Sequence, residues 1–179
     1  MTDKLVREAA AGRGLWIGIP VPVAQWREEN PLHPLLPWLG ERAHVTLLHM
    51  GKHPQTAAMR VATALAAARA AAECLPVKCA VTGLGWFSRR AGPPTRVALV
   101  NSPWLTNHLR PRVYQRASQE LALDDWFGFI PHVTLTEPAN TSWEDLEDTM
   151  GGFLGWRAEI IQVHCGEVTV DVGLPEMPF

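Results

Sequence analysis

The tetrapeptide His-Val-Thr-Leu occurs twice, as His44-Val45-Thr46-Leu47 and as His132-Val133-Thr134-Leu135, about half of the 179-residue chain apart. Histidine is the side chain whose ordinary pKa lies nearest neutrality, so it gives or takes a proton at working pH. Threonine adds a hydroxyl that donates to an anionic oxygen. Two such pairs facing one another across a groove make an acid–base site. One neutral histidine activates a nucleophile while the other, protonated, delivers a proton to the leaving group. The hydroxyls of Thr46 and Thr134 hold the non-bridging oxygens of a phosphoryl group and stabilise charge growing there. The chemistry this suits is displacement at phosphorus by an internal or a water nucleophile, and it calls for no metal and no cofactor.

Strands must position these groups. On a strand, side chains alternate between faces, so His44 and Thr46 share one face while Val45 and Leu47 share the other. The same holds for His132 and Thr134 against Val133 and Leu135. Around the two motifs, Gly14–Pro22 reads as a buried strand ended by prolines. The prolines at 31, 34 and 37 then restrict the next stretch to a short helix or an irregular crossover. Residues from Gln55 to Leu75 form an alanine-rich helix with Val61, Leu65, Ala68, Ala72 and Leu75 on one face, stopped by Pro76. VKCAVTGLGWF and TRVALVN are strands flanking a turn. Ser102 caps a helix running to about Leu123, with Pro103 at its first position. Thr141-Ser142-Trp143-Glu144-Asp145 opens a further helix with a capping box, ending at Gly151-Gly152. RAEIIQVHCGEVTVDVG supplies one long bent strand or two short ones.

Composition bounds the rest. A 47 % hydrophobic, 19 % charged chain is an ordinary globular protein, and this length fits one domain, residues 1–179, of two lobes sharing a core. The net charge of −2 gives no basic stripe for long duplex nucleic acid, whereas a small anionic substrate needs only a few local arginines. Cys74, Cys79 and Cys165 show no paired-motif spacing, which argues against a disulfide framework or zinc site and fits a reducing cytoplasm. The charged N-terminus has no apolar core of a signal peptide. No stretch reaches transmembrane length without charges or prolines, so no membrane role is expected.

At these residues the chain resembles the two-histidine (2H) phosphoesterase superfamily, which includes 2′-5′ RNA ligase-like proteins and 2′,3′-cyclic phosphodiesterases. Its signature is a pair of H-x-[TS]-hydrophobic motifs on central strands of two lobes. Both motifs match here, FIPHVTL resembles the run around the second motif, and Gly83–Phe87 with Thr95–Val100 resembles the intervening strand pair. The resemblance implies an α+β fold of two lobes, each a small, mostly antiparallel sheet backed by helices, related by a pseudo-two-fold. It also implies acid–base catalysis by His44 and His132 on a 2′,3′-cyclic phosphate or 2′-5′ linkage of a small nucleotide or RNA end. Leu48-His49 stands where many members carry an arginine, and the proline-rich crossover replaces a helix, which bears on substrate size and identity. Two alternatives remain: a phage-type hydrolase of cyclic oligonucleotide antiviral signals, acting in the host cytoplasm, and a nucleotide-binding module without activity.

Secondary candidates surround the motifs. Trp86, Phe87 and Trp126 lie near strand ends, where an aromatic ring stacks on an unpaired base. Arg89 in the turn and Lys52 after the first motif are candidate phosphate contacts. Arg110, Arg112 and Arg116 fit a solvated helix face better. His49, an odd number of positions from His44, is expected on the opposite face, and His53 in a loop, so no metal site is expected. His33, His108 and His164 read as surface or half-buried residues.

Overall fold

The computed structural model describes residues 2–11, 15–50, 56–123, 128–153, 157–160, 162–166 and 168–170. Helix α1 (Thr2–Ala10), not anticipated from the sequence, buries Leu5 and Ala9 one turn apart. Strand β1 (Trp16–Pro20) ends at its proline, and the proline-rich crossover forms α2 (Val23–Glu29) and a 3-10 turn (Leu36–Trp38). After β2 (His44–His49) comes α3 (Ala57–Ala72), capped by Thr56 Oγ1, which accepts from the Met59 amide. Its alanines Ala64, Ala67, Ala68, Ala71 and Ala72 are buried, and the small side chains admit α1 on one flank. Leu65 and Leu75, expected on the buried face, are only half-buried because α1 and α4 (Arg110–Ser118) pull that face round.

Between α3 and α4 lie β3 (Val77–Phe87) and β4 (Thr95–Asn101). Ser102 Oγ accepts from the Leu105 amide, as its capping role requires. The helix then runs through a π-turn over Leu105–Leu109 before α4. Pro111 explains the widening: it has no amide to donate and its ring would clash with the carbonyl four residues back. Strand β5 (His132–Thr134) precedes α5 (Trp143–Met150), whose Ser142–Asp145 capping box is formed in both directions. The final apolar stretch makes three strands rather than one or two: β6 (Arg157–Ile160), β7 (Val163–Cys165) and β8 (Val168–Val170).

All strand pairs are antiparallel, in the order β6-β3-β4-β5-β2-β1-β7-β8. The expected pair of small antiparallel sheets is therefore present as two four-stranded halves, joined where β2 meets β5 through Val45 opposite Val133. Each half contributes one HVTL strand to this joint. A local two-fold through the valine pair exchanges the motifs.

The sheet is not flat. Ile160 and Val163 lie three residues apart, within about 11 Å, yet β6 and β7 are six strand spacings apart, about 29 Å along a flat sheet. The sheet must curl to bring its flanks together. It curls about its apolar face, where Val21, Val45, Val81, Val100, Val133 and Ile160 line one shared, nearly filled cavity.

Candidate active site

The joint between the halves sets the site. With Val45 opposite Val133, the antiparallel register places Thr46 opposite His132 and His44 opposite Thr134. The two histidines are diagonal neighbours, about 7–8 Å apart at the backbone, close enough to flank one phosphate. Val45 and Val133 are 1 % and 3 % exposed, whereas His44, Thr46 and His132 are half-buried and Thr134 is exposed. The four polar groups expected to share a groove do share one face.

The two histidines are held in the same way. His44 Nδ1 lies 2.8 Å from the Arg42 carbonyl, and His132 Nδ1 lies 2.7 Å from the Ile130 carbonyl. A carbonyl can only accept, so each Nδ1 carries a proton and donates it. Each Nε2 is thereby left as the ring atom able to take or give a proton. The environments differ. Burial, and secondarily the neighbouring His132, lower the pKa of His44, against an opposing effect of the Arg42 carbonyl.

Aromatic rings brace both imidazoles. Trp16 stacks on His44 with centroids 3.8 Å apart and planes 7° from parallel. Phe87 meets His132 edge-on at 4.8 Å. Gly18 makes the first contact achievable: a Cβ there would lie 2.8 Å from the Val45 carbonyl oxygen and 2.9 Å from the Trp16 ring. The indole therefore lies across the bare backbone of β1 to reach the next strand. Beyond β5, Gly83 and Gly85 pair with Leu99 and Val97, which pair in turn with His132 and Thr134. These glycines keep the groove floor low on the other side.

Two further histidines face the groove. His164 pairs with Gly18, which pairs with Thr46. Its Nε2 is 3.2 Å from the Thr169 hydroxyl, and its pKa is lowered by burial and then by His44. No repeated motif marks it; the only trace is its alternation with buried Val163 and Cys165. His49 corrects the expectation of opposite faces. Gly18 pairs with Thr46, Ile17 with Leu48 and Trp16 with His49, so Leu47 is an extra residue in β2. The bulge sends Leu47 and Leu48 both inward and returns His49 to the side of Thr46, matching its exposure.

The other candidates divide. Phe87 reaches the site, as above. Arg89 Nε donates to Thr95 Oγ1 at 2.6 Å, and Thr95 is the cross-strand partner of Phe87, which sets the guanidinium at the Phe87 end of the groove. Trp86 does not belong to it: strand alternation turns it to the opposite face from Phe87, where it lines a separate cavity. Lys52, His53 and Trp126 lie outside the described residues. Arg112 and Arg116 pair with Glu73 and Glu120. His33 is buried, not at the surface: it is 3 % exposed, edge-on to Phe153, with its pKa lowered by burial to about 4. Among the described residues no group of three or more His, Cys, Asp or Glu is placed to hold a metal ion, and no helix is long and apolar enough to cross a membrane.

Solved structures of similar fold are known. The crystal structure of TT0787 from Thermus thermophilus matches over 84 % of this chain and 85 % of that one, with 17 % identity and a TM-score of 0.50. Escherichia coli LigT complexed with 3′-AMP matches over 84 % of each chain, with 19 % identity and a TM-score of 0.45. A structure described as a phosphoesterase covers 84 % and 85 %, with 16 % identity and a TM-score of 0.43. No curated protein matches the chain. The family described as the 2′-5′ RNA ligase superfamily matches residues 18–167, from the glycine under Trp16 to just past His164, and the chain belongs to that superfamily.

Proposed function

We propose that this protein is a metal-independent phosphodiesterase that opens ribonucleotide 2′,3′-cyclic phosphates or cleaves 2′-5′ linkages, with His44 as base and His132 as acid. The observation that carries the reading is the matched pair of Nδ1–H bonds to backbone carbonyls two residues upstream, which leaves both Nε2 atoms free for proton transfer on one face. The lowered pKa of His44 keeps it neutral and suits it to the basic role.

In the proposed step, His44 Nε2 takes a proton from water as the water oxygen bonds to phosphorus. The P–O bond to the ribose breaks, and the departing oxygen takes the proton from His132 Nε2. Thr46 and Thr134 donate to the non-bridging oxygens as their charge grows. Leu99 and the glycine-paved floor beside His132 offer a ribose and base a shallow apolar seat. Superfamily membership supports phosphoester chemistry, and the small net charge agrees with a small nucleotide or RNA-end substrate.

The test is product analysis on a 2′,3′-cyclic mononucleotide, a 2′-5′ dinucleotide and cyclic di- and trinucleotides, with chelator present throughout. The expected result is turnover of one of the first two, falling on the order of 10²–10⁴-fold in His44→Ala and in His132→Ala. The double variant should be little worse than either single one, because the two act on one transition state. Turnover of the cyclic oligonucleotides alone would assign the protein to antiviral-signal hydrolysis. Binding without turnover would make it a nucleotide-binding module. Near-normal rates in either single variant would overturn the mechanism.

A further inference from the structure

On the face of the sheet away from the histidines, Trp86, Pro94, Arg96, Trp143 and Glu147 line a cavity of about 310 Å³. Trp143 is its rigid wall: it is 7 % exposed and packs edge-on against the buried Trp38 at 5.8 Å. The Arg96 guanidinium lies over the Trp143 ring, 4.6 Å from its centroid. One of its nitrogens, Nη1, is buried and has no hydrogen-bond partner. Leaving a buried donor of a charged group unpaired is costly. Trp86, 61 % exposed, holds a large ring out to solvent at the same cavity. Glu147 is exposed on α5 and makes no ion pair among the described residues. Nothing in the groove chemistry uses any of these groups.

We propose that this cavity binds a guanine base. The exposed Trp86 indole supplies a stacking surface for a flat ring, the Arg96 guanidinium lies on Trp143 as the opposite wall, and the volume lies at the small end of ligand sites, fit for one base rather than two. The polar groups then select which base. Arginine only donates and a carboxylate only accepts, so the ligand must present acceptors to Arg96 and donors to Glu147. Guanine does both: O6 and N7 are acceptors suited to an arginine, and its N2 amine is a donor. Adenine presents a donor where guanine has O6, so it offers Arg96 only N7. The site answers two separate features at once: the exposed indole of Trp86 and the unpaired acidic neighbour, with the Arg96 guanidinium between them.

The probe is guanosine, which carries no phosphate to draw it to the histidines, titrated calorimetrically into the full chain. One molecule should bind per chain with a dissociation constant below about 1 mM, and adenosine about tenfold more weakly. Trp86→Ala and Arg96→Met should each weaken guanosine about tenfold or more. Glu147→Gln should remove the preference over adenosine. Trp86 and Glu147 are exposed, so their variants keep the fold, which thermal melting checks. The His44→Ala/His132→Ala double variant should bind guanosine as the wild type does, which separates this pocket from the groove. Absence of binding, binding indifferent to Trp86 and Glu147, or binding lost with the two histidines would each overturn the proposal. Failure of the phosphodiesterase reading would leave it standing.

Discussion

His44 is half-buried under Trp16, and its neutral form is favoured by that burial and by the adjacent imidazole of His132. For a base this has a definite sign. With His44 as the proposed base, activity requires its neutral form, so the acidic limb of the pH profile for kcat/KM should fall below the ordinary histidine value of about 6.5. Trp16→Ala, which exposes the ring to water, should move that limb back toward 6.5. Measuring rate against pH for both proteins checks this, and an acidic limb above 6.5 in the wild type would assign His44 the other role. The pairing of histidine with threonine was legible in the sequence, because both lie on one strand and alternation fixes their common face. The tautomer was not: it depends on the carbonyls of Arg42 and Ile130, which no side-chain pattern announces. Nor was His164, which reaches the groove only because β7 pairs with β1 beside a glycine.

At the scale of elements, β1 and β2 are fitted to each other by what Gly18 lacks. Alanine at 18 would set a methyl 2.8 Å from the Val45 carbonyl oxygen, and that oxygen belongs to backbone at the joint of the two halves. Gly18→Ala should therefore destabilise the fold by about 1–3 kcal/mol and dislodge Trp16 from His44. Gly83→Ala is the control, since its nearest atom would be a Leu99 methyl at 3.7 Å. Thermal melts of the two variants test the contrast in stability, and equal destabilisation would refute it. The elements around the motifs were largely readable from prolines, caps and alternation. The bulge at Leu47 was not, because HVTLLH reads as well with strict alternation as with one residue doubled. That single insertion decides where His49 points.

For the whole molecule, the sequence carried the two halves but not their closure. The last apolar stretch reads as one long bent strand or two short ones, and only pairing shows that β6 and β7 lie on opposite flanks of a curled sheet. His33 marks the packing of the crossover against the chain beyond α5. Its Nδ1 accepts from the Leu35 amide, and its ring meets Phe153. Burial lowers its pKa to about 4, so folding disfavours its charged form. Above 6.5 it is neutral folded and unfolded, and the full stability is present. As pH falls from about 6.5 toward 4, the unfolded chain binds the proton first and stability drops, by on the order of 3 kcal/mol. Urea unfolding at pH 7 and pH 4.5 measures the loss, and His33→Gln should shrink it. An unchanged pH dependence in that variant would place the acid sensitivity elsewhere.

The matched carbonyl bonds to His44 and His132 have a consequence for what happens between turnovers. In the proposed step each passage of substrate would carry a proton into one imidazole and out of the other, leaving the protein as the electrical mirror image of its starting form. In that inverted form His44 is the donor and His132 the acceptor, which is the arrangement that would re-esterify the product while it stays bound. The resting form returns only when water or buffer ferries a proton back across the two-fold. The lowered pKa of His44 favours that return, so the resting charge state is written into the surroundings of the pair rather than into its geometry.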